Sequence, residues 1–284
     1  MGTSIHTNKK RISAYALILF ALLITVMMTL SACNGGETTE PGLSTLRVGA
    51  APAPHAEILH YVVPAMLEKG IQLEVVEYTD FLVPNTALDA GDIDANFFQH
   101  MPYLETFNEE NGTDLSPVTG VHFEPLGIYP GRLSSFENIP EDAQLAIPSD
   151  PTNGARALNL LEREGLITLD PGAGLAATPR DITDNPYNVH IVEVEAPQLP
   201  RILPDVDFAV INGNYALESG IDFADALAIE DRNSPAAQRY TNYLVARANM
   251  VNDDYIQALA EVLNSNAVRS FIETRYHGRV VPTF

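Results

Sequence analysis

Aromatic and imidazole side chains cluster where a predicted strand passes into a predicted helix. Phe98, His100 and Tyr103 lie in this junction, and Phe81 follows the preceding predicted strand. A single Phe in such a place is usually part of the core, whereas His and Tyr carry polar atoms that need partners when they are buried. The cluster therefore predicts one wall of a pocket, with core packing as the alternative.

A second segment could bind an anion. Residues 147–156 pass from an apolar strand through a turn into the start of a helix, with Arg156 in its opening turns. Backbone amides at a helix start attract anions, and a guanidinium can donate two hydrogen bonds to a carboxylate. An ion pair between Arg156 and Asp150, or another acid of the chain, explains the same residue equally well.

A third segment places asparagines after an apolar strand. Asn212 and Asn214 flank Gly213, directly after Ile211. An amide oxygen can accept from an ammonium group and an amide NH2 can donate to a carboxylate, so Asn suits both ends of an amino acid. Asn-Gly is also a common turn sequence, and that alternative stays open.

The elements that position these residues alternate between strands and helices. Strands are predicted at 46–50, 71–78, 93–97, 144–148, 189–194 and 208–211, with helices at 56–69, 84–90, 100–110, 153–164, 256–264 and 267–275. This order predicts an α/β fold with crossover helices. Because the pattern restarts after about residue 126, we expect two lobes with a ligand cleft between them, beyond the carboxyl ends of the strands.

The overall charge narrows the classes of partner. The formal net charge is −21 at pH 7, and outside the first 32 residues Lys69 is the only lysine in the sequence. Such an excess of acidic residues argues against binding of nucleic acid or of anionic lipid through the protein surface.

The N-terminal segment resembles a bacterial lipoprotein leader. Three basic residues are followed by an uncharged apolar stretch, 12–30, and by the sequence Leu-Ser-Ala-Cys, which ends at Cys33. This order predicts a cleaved signal peptide, 1–32, with Cys33 as the diacylated first residue and 33–44 as a flexible linker. A transmembrane anchor is the alternative, since about 20 apolar residues can span a bilayer. With Cys33 lipidated, the rest of the chain contains no thiol for a disulfide or a metal site.

Four motifs, in order, resemble those of the NlpA lipoprotein family, the methionine-binding lipoproteins of ABC importers. The motifs are Gly91–Asn96 with Phe98–His100, Asp150–Gly154 with Arg156, Glu195–Arg201, and Ala209–Asn212. The resemblance extends from about Val48 to the C-terminus. It implies a periplasmic-binding-protein-like (type II) α/β fold, in which 45–124 and 242–284 form one lobe and 125–241 form the other.

The resemblance also implies roles for individual residues. Phe98, His100 and Tyr103 resemble the walls of the side-chain pocket, together with Phe81, which replaces a frequent Tyr. Asn153 and Arg156 resemble the carboxylate clamp. Asn212 and Asn242 resemble amides that contact the head of the amino acid. These roles suit methionine, because its soft thioether favours aromatic edges and because a buried zwitterion needs paired charges.

The predicted function is therefore capture of methionine by a lipid-anchored binding protein and its delivery to an ABC permease and its ATPase, without a cofactor or bound metal. A methionine-containing dipeptide or another apolar amino acid is the alternative ligand. The sequence has no Gly-x-Ser-x-Gly, Walker or His-Glu-x-x-His motif, which argues against an enzyme. A metal-capture protein that uses His55, His60, His100 and His122 is the alternative from another class.

Overall fold

The computed structural model describes residues 43–233 and 238–284, which fall in one compact unit, Leu43–Phe284. The predicted signal peptide and Cys33 lie outside the described residues. Within the described ranges, no helix is both long enough and apolar enough to cross a membrane.

The described residues contain both strands and helices throughout their length. The strands are β1 (Ser44–Ala50), β2 (Ile71–Glu77), β3 (Ala95–His100), β4 (Leu115–Phe123), β5 (Gly127–Pro130), β6 (Gln144–Pro148), β7 (Thr168–Leu169), β8 (Ile182–Asp184), β9 (His190–Val194), β10 (Phe208–Ile211), β11 (Ala228–Ile229), β12 (Thr241–Arg247) and β13 (Val281–Pro282). The α-helices are α1 (Glu57–Glu68), α2 (Val83–Ala90), α3 (Met101–Asn111), α4 (Pro151–Arg163), α5 (Leu199–Ile202), α6 (Gly213–Glu218), α7 (Asp254–Leu263) and α8 (Asn266–Tyr276).

The larger sheet has the strand order β13-β4-β12-β3-β1-β2. Strand β1 runs parallel to β2 and β3, whereas β12 runs antiparallel to β3 and β4. Helix α1 packs on this sheet because Ile58, Leu59, Val62 and Met66 recur at helical spacing and are all buried. The helix is followed by Gly70, whose φ of 77° suits a residue without a Cβ atom.

The second sheet has the strand order β11-β5-β10-β6-β9. Strand β6 runs parallel to β9 and β10, and β5 runs antiparallel to β10. Its core joins Leu145 and Phe208 of the sheet to Leu158 and Leu161 of α4. Helix α4 begins where the Asp150 carboxylate accepts a hydrogen bond from the Asn153 backbone amide. Residues carried by this helix and by the end of β10 therefore face the same region as β3.

Strand β3 is longer than the sequence predicts. The prediction ends the strand at residue 97 and begins a helix at residue 100, whereas the strand continues to His100 and the helix begins at Met101. The cause is tertiary: β12 pairs with β3 and places Asn242 opposite His100. Because β12 is antiparallel, the sheet is mixed rather than built from parallel strands alone. The pairing brings the two polar residues to the same end of the sheet.

Candidate functional site

One cavity is lined by residues that are carried on both sheets. Its empty space, including the part that is open to solvent, is about 360 Å³. Its lining residues are His55, Phe81, Phe98, Gln99, His100, Tyr103, Glu124, Asn153, Arg156, Asn212, Gly213, Asn214 and Asn242. All eight residues that the sequence and the family resemblance single out for ligand binding are among them. The structure therefore brings these residues together, and their contact with a ligand stays a prediction.

One end of the cavity is aromatic. The ring centroid of Phe81 lies 5.9 Å from those of both Phe98 and Tyr103, and 5.0 Å from that of Tyr215. The Tyr103 hydroxyl donates to the Phe81 carbonyl oxygen at 3.1 Å, so the polar tip of Tyr103 is satisfied by the protein. These rings present a largely apolar surface, including aromatic ring edges, to a ligand.

The middle of the cavity contains a short chain of hydrogen bonds that spans both sheets. Nδ1 of His100 accepts from the Tyr103 amide at 3.3 Å, so Nε2 carries the proton and donates to Oδ1 of Asn153 at 3.2 Å. The same Oδ1 accepts from the Asn212 side chain at 2.9 Å. The Asn212 Oδ1 atom is left buried without a hydrogen-bond partner among the described residues. It is an acceptor available to a ligand donor.

The start of α4 is already occupied by an anion of the chain itself. Asp150 accepts from the backbone amide of Asn153 and, with both of its oxygens, from the Asn153 side chain at 3.0 and 3.1 Å. The sequence suggested that the helix start attracts a ligand carboxylate, whereas its amide is capped by Asp150. The same contacts hold the Asn153 side chain with its oxygen toward His100 and Asn212.

Arg156 is buried and makes the ion pair that the sequence left open, with Glu230 as its partner. Its Nε donates to Glu230 at 2.8 Å, and its Nη2 donates both to Glu230 and to the Glu124 carbonyl oxygen. The guanidinium lies 4.2 Å from the centroid of the Tyr240 ring, a cation–π distance. Its Nη1 group makes no hydrogen bond within the described ranges of the chain and remains available for a further acceptor.

Glu124, which the sequence did not single out, lies at the polar end of the cavity. Its Oε1 is 2.7 Å from Nε2 of His122 and 3.3 Å from Nε2 of His55. Nε2 of His55 also lies 3.1 Å from Oδ1 of Asn242. The ligand atoms of Glu124 and the two histidines lie within 4.8 Å of one another, a spacing that a metal ion could bridge.

The other two histidines of the metal-capture alternative do not join this group. His60 is exposed and pairs with Glu77 at 3.6 Å, and His100 bonds Asn153. The convergence of four histidines that this alternative requires is therefore wrong. The structure leaves two histidines and one glutamate.

Burial sets the protonation of these groups. It lowers the pKa of His55 to about 4 and those of His100 and His122 to about 3, because a charged imidazole loses its hydration. Burial also raises the pKa of Glu124, while the neighbouring His55 ring, the charge of Arg156 and a hydrogen bond from the Asn214 backbone amide oppose that rise. At neutral pH the three imidazoles are neutral.

Among the remaining wall residues, Asn214 belongs to the asparagine segment that the sequence points to, whereas Gln99 and Gly213 were not predicted. Gln99 is fixed by two reciprocal hydrogen bonds between its side-chain amide and that of Asn85, at 2.6 and 2.8 Å. A Cβ atom at Gly213 would lie 2.9 Å from Cβ of Glu124 and 3.1 Å from the Pro125 carbonyl oxygen. Glycine therefore permits the close approach of α6 to Glu124. The Asn-Gly-Asn sequence at 212–214 indicated that this segment lines the site. Nothing in the sequence indicated the same for Gln99 apart from its place in β3.

Comparison with known proteins places these features in a family context. The family model described as NlpA lipoprotein matches residues 46–284. The chain is 38% identical over 215 residues to the D-methionine-binding lipoprotein MetQ of Escherichia coli (strain K12), an alignment that covers 75% of this chain and 78% of that protein.

Solved structures show the same fold. A nutrient binding protein from Burkholderia cenocepacia, bound to methionine, is 38% identical with a TM-score of 0.80, over 84% of this chain and 100% of that one. A periplasmic substrate-binding protein of an ABC transporter from Coxiella burnetii is 36% identical with a TM-score of 0.78, again over 84% and 100%. The predicted periplasmic-binding-protein-like α/β fold is thus confirmed.

Proposed function

Because the chain belongs to the NlpA lipoprotein family, we propose that it is a substrate-binding protein that captures methionine and delivers it to an ABC importer. Two similar proteins carry methionine in their names or are bound to it, and another serves an ABC transporter. Those relatives are binding proteins, and the cavity here calls for no covalent step. The function consists of binding and release.

The observation that carries this proposal is the division of the cavity into an aromatic end and a polar end. Phe81, Phe98 and Tyr103 form the aromatic end, whereas Arg156 and Glu124 lie at the polar end. An amino acid with an apolar side chain has the same division. A sulfur–aromatic contact is worth about 0.3–1.5 kcal/mol, so the thioether of methionine gains an advantage at the aromatic end over an aliphatic chain of similar size.

In this proposal the carboxylate of the ligand is bound by the guanidinium of Arg156 through Nη1. The Nε and Nη2 groups are engaged by Glu230 and by the Glu124 carbonyl oxygen, which fix the orientation of the guanidinium. Asn153, Asn212 and Asn242 contact the head of the amino acid, and His100 closes the cavity between its two ends. Pairing is required because a buried zwitterion without partners is strongly unfavourable.

We also propose that residues 45–124 and 242–284 form one lobe and residues 125–241 form the other. The two sheets support this division, since one is built from β1–β4, β12 and β13 and the other from β5, β6 and β9–β11. A ligand held by residues from both lobes stabilises the closed arrangement, which the permease recognises.

The anchor and the partners complete the proposal. The family and the leader sequence support a lipid on Cys33, which holds the protein on the outer side of the cell membrane beside the permease and its ATPase. The acidic net charge of −21 argues against nucleic acid as a partner. Cys33→Ala should leave the protein unprocessed or in the aqueous phase after detergent partitioning, and a wild-type chain that partitions into water would contradict the anchor.

A thermal-shift screen of the twenty common amino acids tests the ligand. We expect methionine to give the largest rise in Tm, leucine a smaller one, and Lys, Asp and Glu none, because the aromatic end offers no partner for a charged side chain. Methionine-containing dipeptides belong in the same screen. If a dipeptide or a polar amino acid stabilises the protein more than methionine does, the proposed ligand is wrong.

A further inference from the structure

Glu124 is a buried carboxylate whose neighbours do not neutralise it. It is 6% exposed, and the two side chains within hydrogen-bond or ion-pair distance of its Oε1 are His55 and His122. Both imidazoles are held neutral by burial at ordinary pH. Arg156, the nearest permanent cation, already forms a two-pronged pair with Glu230. The polar end of the cavity therefore has two carboxyl groups, those of Glu124 and Glu230, and one permanent cation, Arg156.

The two histidines orient this carboxylate rather than neutralise it. Nε2 of His55 faces two acceptors, Glu124 Oε1 and Asn242 Oδ1, so it carries the proton and can donate. Nε2 of His122 lies 2.7 Å from the same carboxylate oxygen. In this arrangement each Nδ1 keeps a lone pair, and both Nδ1 atoms are buried without partners among the described residues.

A metal ion at the same three residues would reverse that pattern. Metal-bound histidines usually donate their other ring N–H to an acceptor. If a metal took Nε2 of His55 and His122, Nδ1 of His122 would become a buried donor without a partner among the described residues. The geometry favours imidazoles that donate, His122 to Glu124 and His55 to Asn242, over two that bind a metal.

The side of Glu124 away from the histidines lies against the cavity wall. A Cβ at Gly213, itself a lining residue, would be 3.3 Å from Oε2 of Glu124. The Glu124 carboxylate accepts a hydrogen bond from the Asn214 backbone amide, and its Oε2 has no side-chain partner within 43–233 or 238–284. A second acceptor of the same cavity, Oδ1 of Asn212, is buried without a partner among the described residues. A carboxylate that lacks a cationic partner, beside an unpartnered amide oxygen, suits a cationic donor.

We infer that Glu124 is the counter-ion of the ligand's α-ammonium group, so that the cavity accepts free α-amino acids and excludes ligands whose α-amine is missing or blocked. The inference rests on the proposed function and names the group that the ligand must carry. Arg156 donates to the Glu124 carbonyl oxygen at 2.9 Å, so the partners of the carboxylate and of the ammonium are neighbours. An α-amino acid carries its ammonium and carboxylate groups on the same carbon atom, as this arrangement requires.

A counter-ion role for Glu124 predicts opposite effects of its removal on ligands with and without an α-ammonium group. A purely structural role would not. Methionine adds one positive and one negative charge and leaves the balance of the cavity unchanged. Its des-amino analogue, 4-(methylthio)butanoate, adds a negative charge beside Glu124, whose pKa burial already raises, so the analogue binds only against repulsion or with uptake of a proton by Glu124. Glu124→Gln removes the repulsion together with the counter-ion, so it should weaken methionine and strengthen the analogue.

The test is a calorimetric cycle of two proteins and two ligands at pH 7 in the presence of EDTA. Wild-type protein should bind methionine at least about 30-fold more tightly than the analogue, since breaking a buried charge pair costs at least that factor. In Glu124→Gln that ratio should fall to about 3-fold or less. Glu261→Gln, a carboxylate whose side chain is 75% exposed, is the matched control and should keep the wild-type ratio.

The outcomes separate the possible failures. If wild-type protein binds methionine and the analogue alike, or if Glu124→Gln weakens both by the same factor, Glu124 is not the counter-ion although methionine binding stands. Methionine binding that is present without EDTA and lost with it would assign the group to a metal instead. If wild-type protein binds neither compound, with EDTA or without it, the proposed function and this inference are both contradicted. Because the wild-type comparison alone can contradict the inference, it does not depend on the variant folding.

Discussion

His100, the last residue of β3, donates from Nε2 to Oδ1 of Asn153 in the first turn of α4, at 3.2 Å. His100 ends a strand of the larger sheet and Asn153 lies on the helix that packs against the second sheet, so this bond joins two sides of the cavity wall. Each partner is fixed independently: the Tyr103 amide donates to Nδ1 of His100, and Asp150 accepts from the amide of Asn153. The bond can therefore respond to a ligand without disturbing either helix start.

The first prediction concerns this bond. His100→Asn retains a side chain that can cap α3 but that is too short to reach Asn153. We expect methionine to bind about 2- to 10-fold more weakly, the value of one hydrogen bond. His60→Asn changes an exposed histidine on α1 and is the matched control. Calorimetric titration measures both, and an affinity equal to wild type in His100→Asn would contradict a role for the bond in closure.

The second prediction separates two roles of Arg156. Arg156→Ala leaves Glu230, which is 13% exposed, without its cation, so the free energy of unfolding should fall by about 3–5 kcal/mol. Glu230→Gln in the same chain should restore much of that stability but not methionine binding. Urea unfolding and calorimetry measure the two effects. A stable double variant that binds methionine normally would show that Arg156 serves only the ion pair.

The third prediction follows from the buried histidines. Burial, together with the charge of Arg156, lowers the pKa of His100 to about 3, whereas a free histidine titrates near 6.5. Between about pH 3 and 6.5 the unfolded chain therefore binds a proton that the native protein does not. Stability from this group is present above that range and is lost as the pH falls. His55 and His122 act in the same direction.

Buried acids act in the opposite direction. Burial raises the pKa of Glu218 to about 7, so its contribution to stability falls as the pH rises from about 4.5 to 7. The pH dependence that Glu218 and the other buried groups contribute is the same in His100→Asn and in the wild type, so it cancels when the two proteins are compared. The stability of the variant should fall less steeply below pH 6.5, by up to about 1.4 kcal/mol per pH unit. Urea unfolding at several pH values measures the slopes, and parallel curves would contradict the assignment.

The fourth prediction concerns the contact between α6 and Glu124. In Gly213→Ala the new methyl group meets Cβ of Glu124 at 2.9 Å and the Pro125 carbonyl oxygen at 3.1 Å. Overpacking of this kind costs about 1–3 kcal/mol. Gly172→Ala is the control, because its nearest neighbour is the Asp170 side chain, which can move. The Tm values of both variants are measured by thermal unfolding. An unchanged Tm for Gly213→Ala would show that the contact between α6 and Glu124 tolerates a side chain.

The sequence predicts the wall residues that terminate regular elements. His100 follows an apolar strand, Asn212 follows another, and Asn153 lies at a helix start, so local patterns place each of them at the cleft. The side-chain partners are not encoded locally. Arg156 could pair with any of several acids, and the pairing with Glu230 depends on the packing of α4 against the chain that follows β11.

The contacts of Glu124 and the pairing of β12 also could not be predicted from local sequence patterns. Glu124 follows directly on β4, and its partner His55 comes from the turn before α1, so their contact requires the folded sheet. Strand β12 forms bulged pairs with β4 and β3, and such irregular pairing leaves little alternation in the sequence. Without that strand, the extension of β3 to His100 could not be predicted.

Methionine capture is tested most directly by a calorimetric titration of the purified chain with methionine and with leucine, after unfolding and refolding to release any retained ligand. We expect saturable binding of one methionine per chain and clearly weaker binding of leucine. Because a sulfur–aromatic contact separates the two by only about tenfold, any larger preference must come from the shape of the aromatic end. Absence of methionine binding by refolded protein, or tighter binding of leucine, would contradict the central claim.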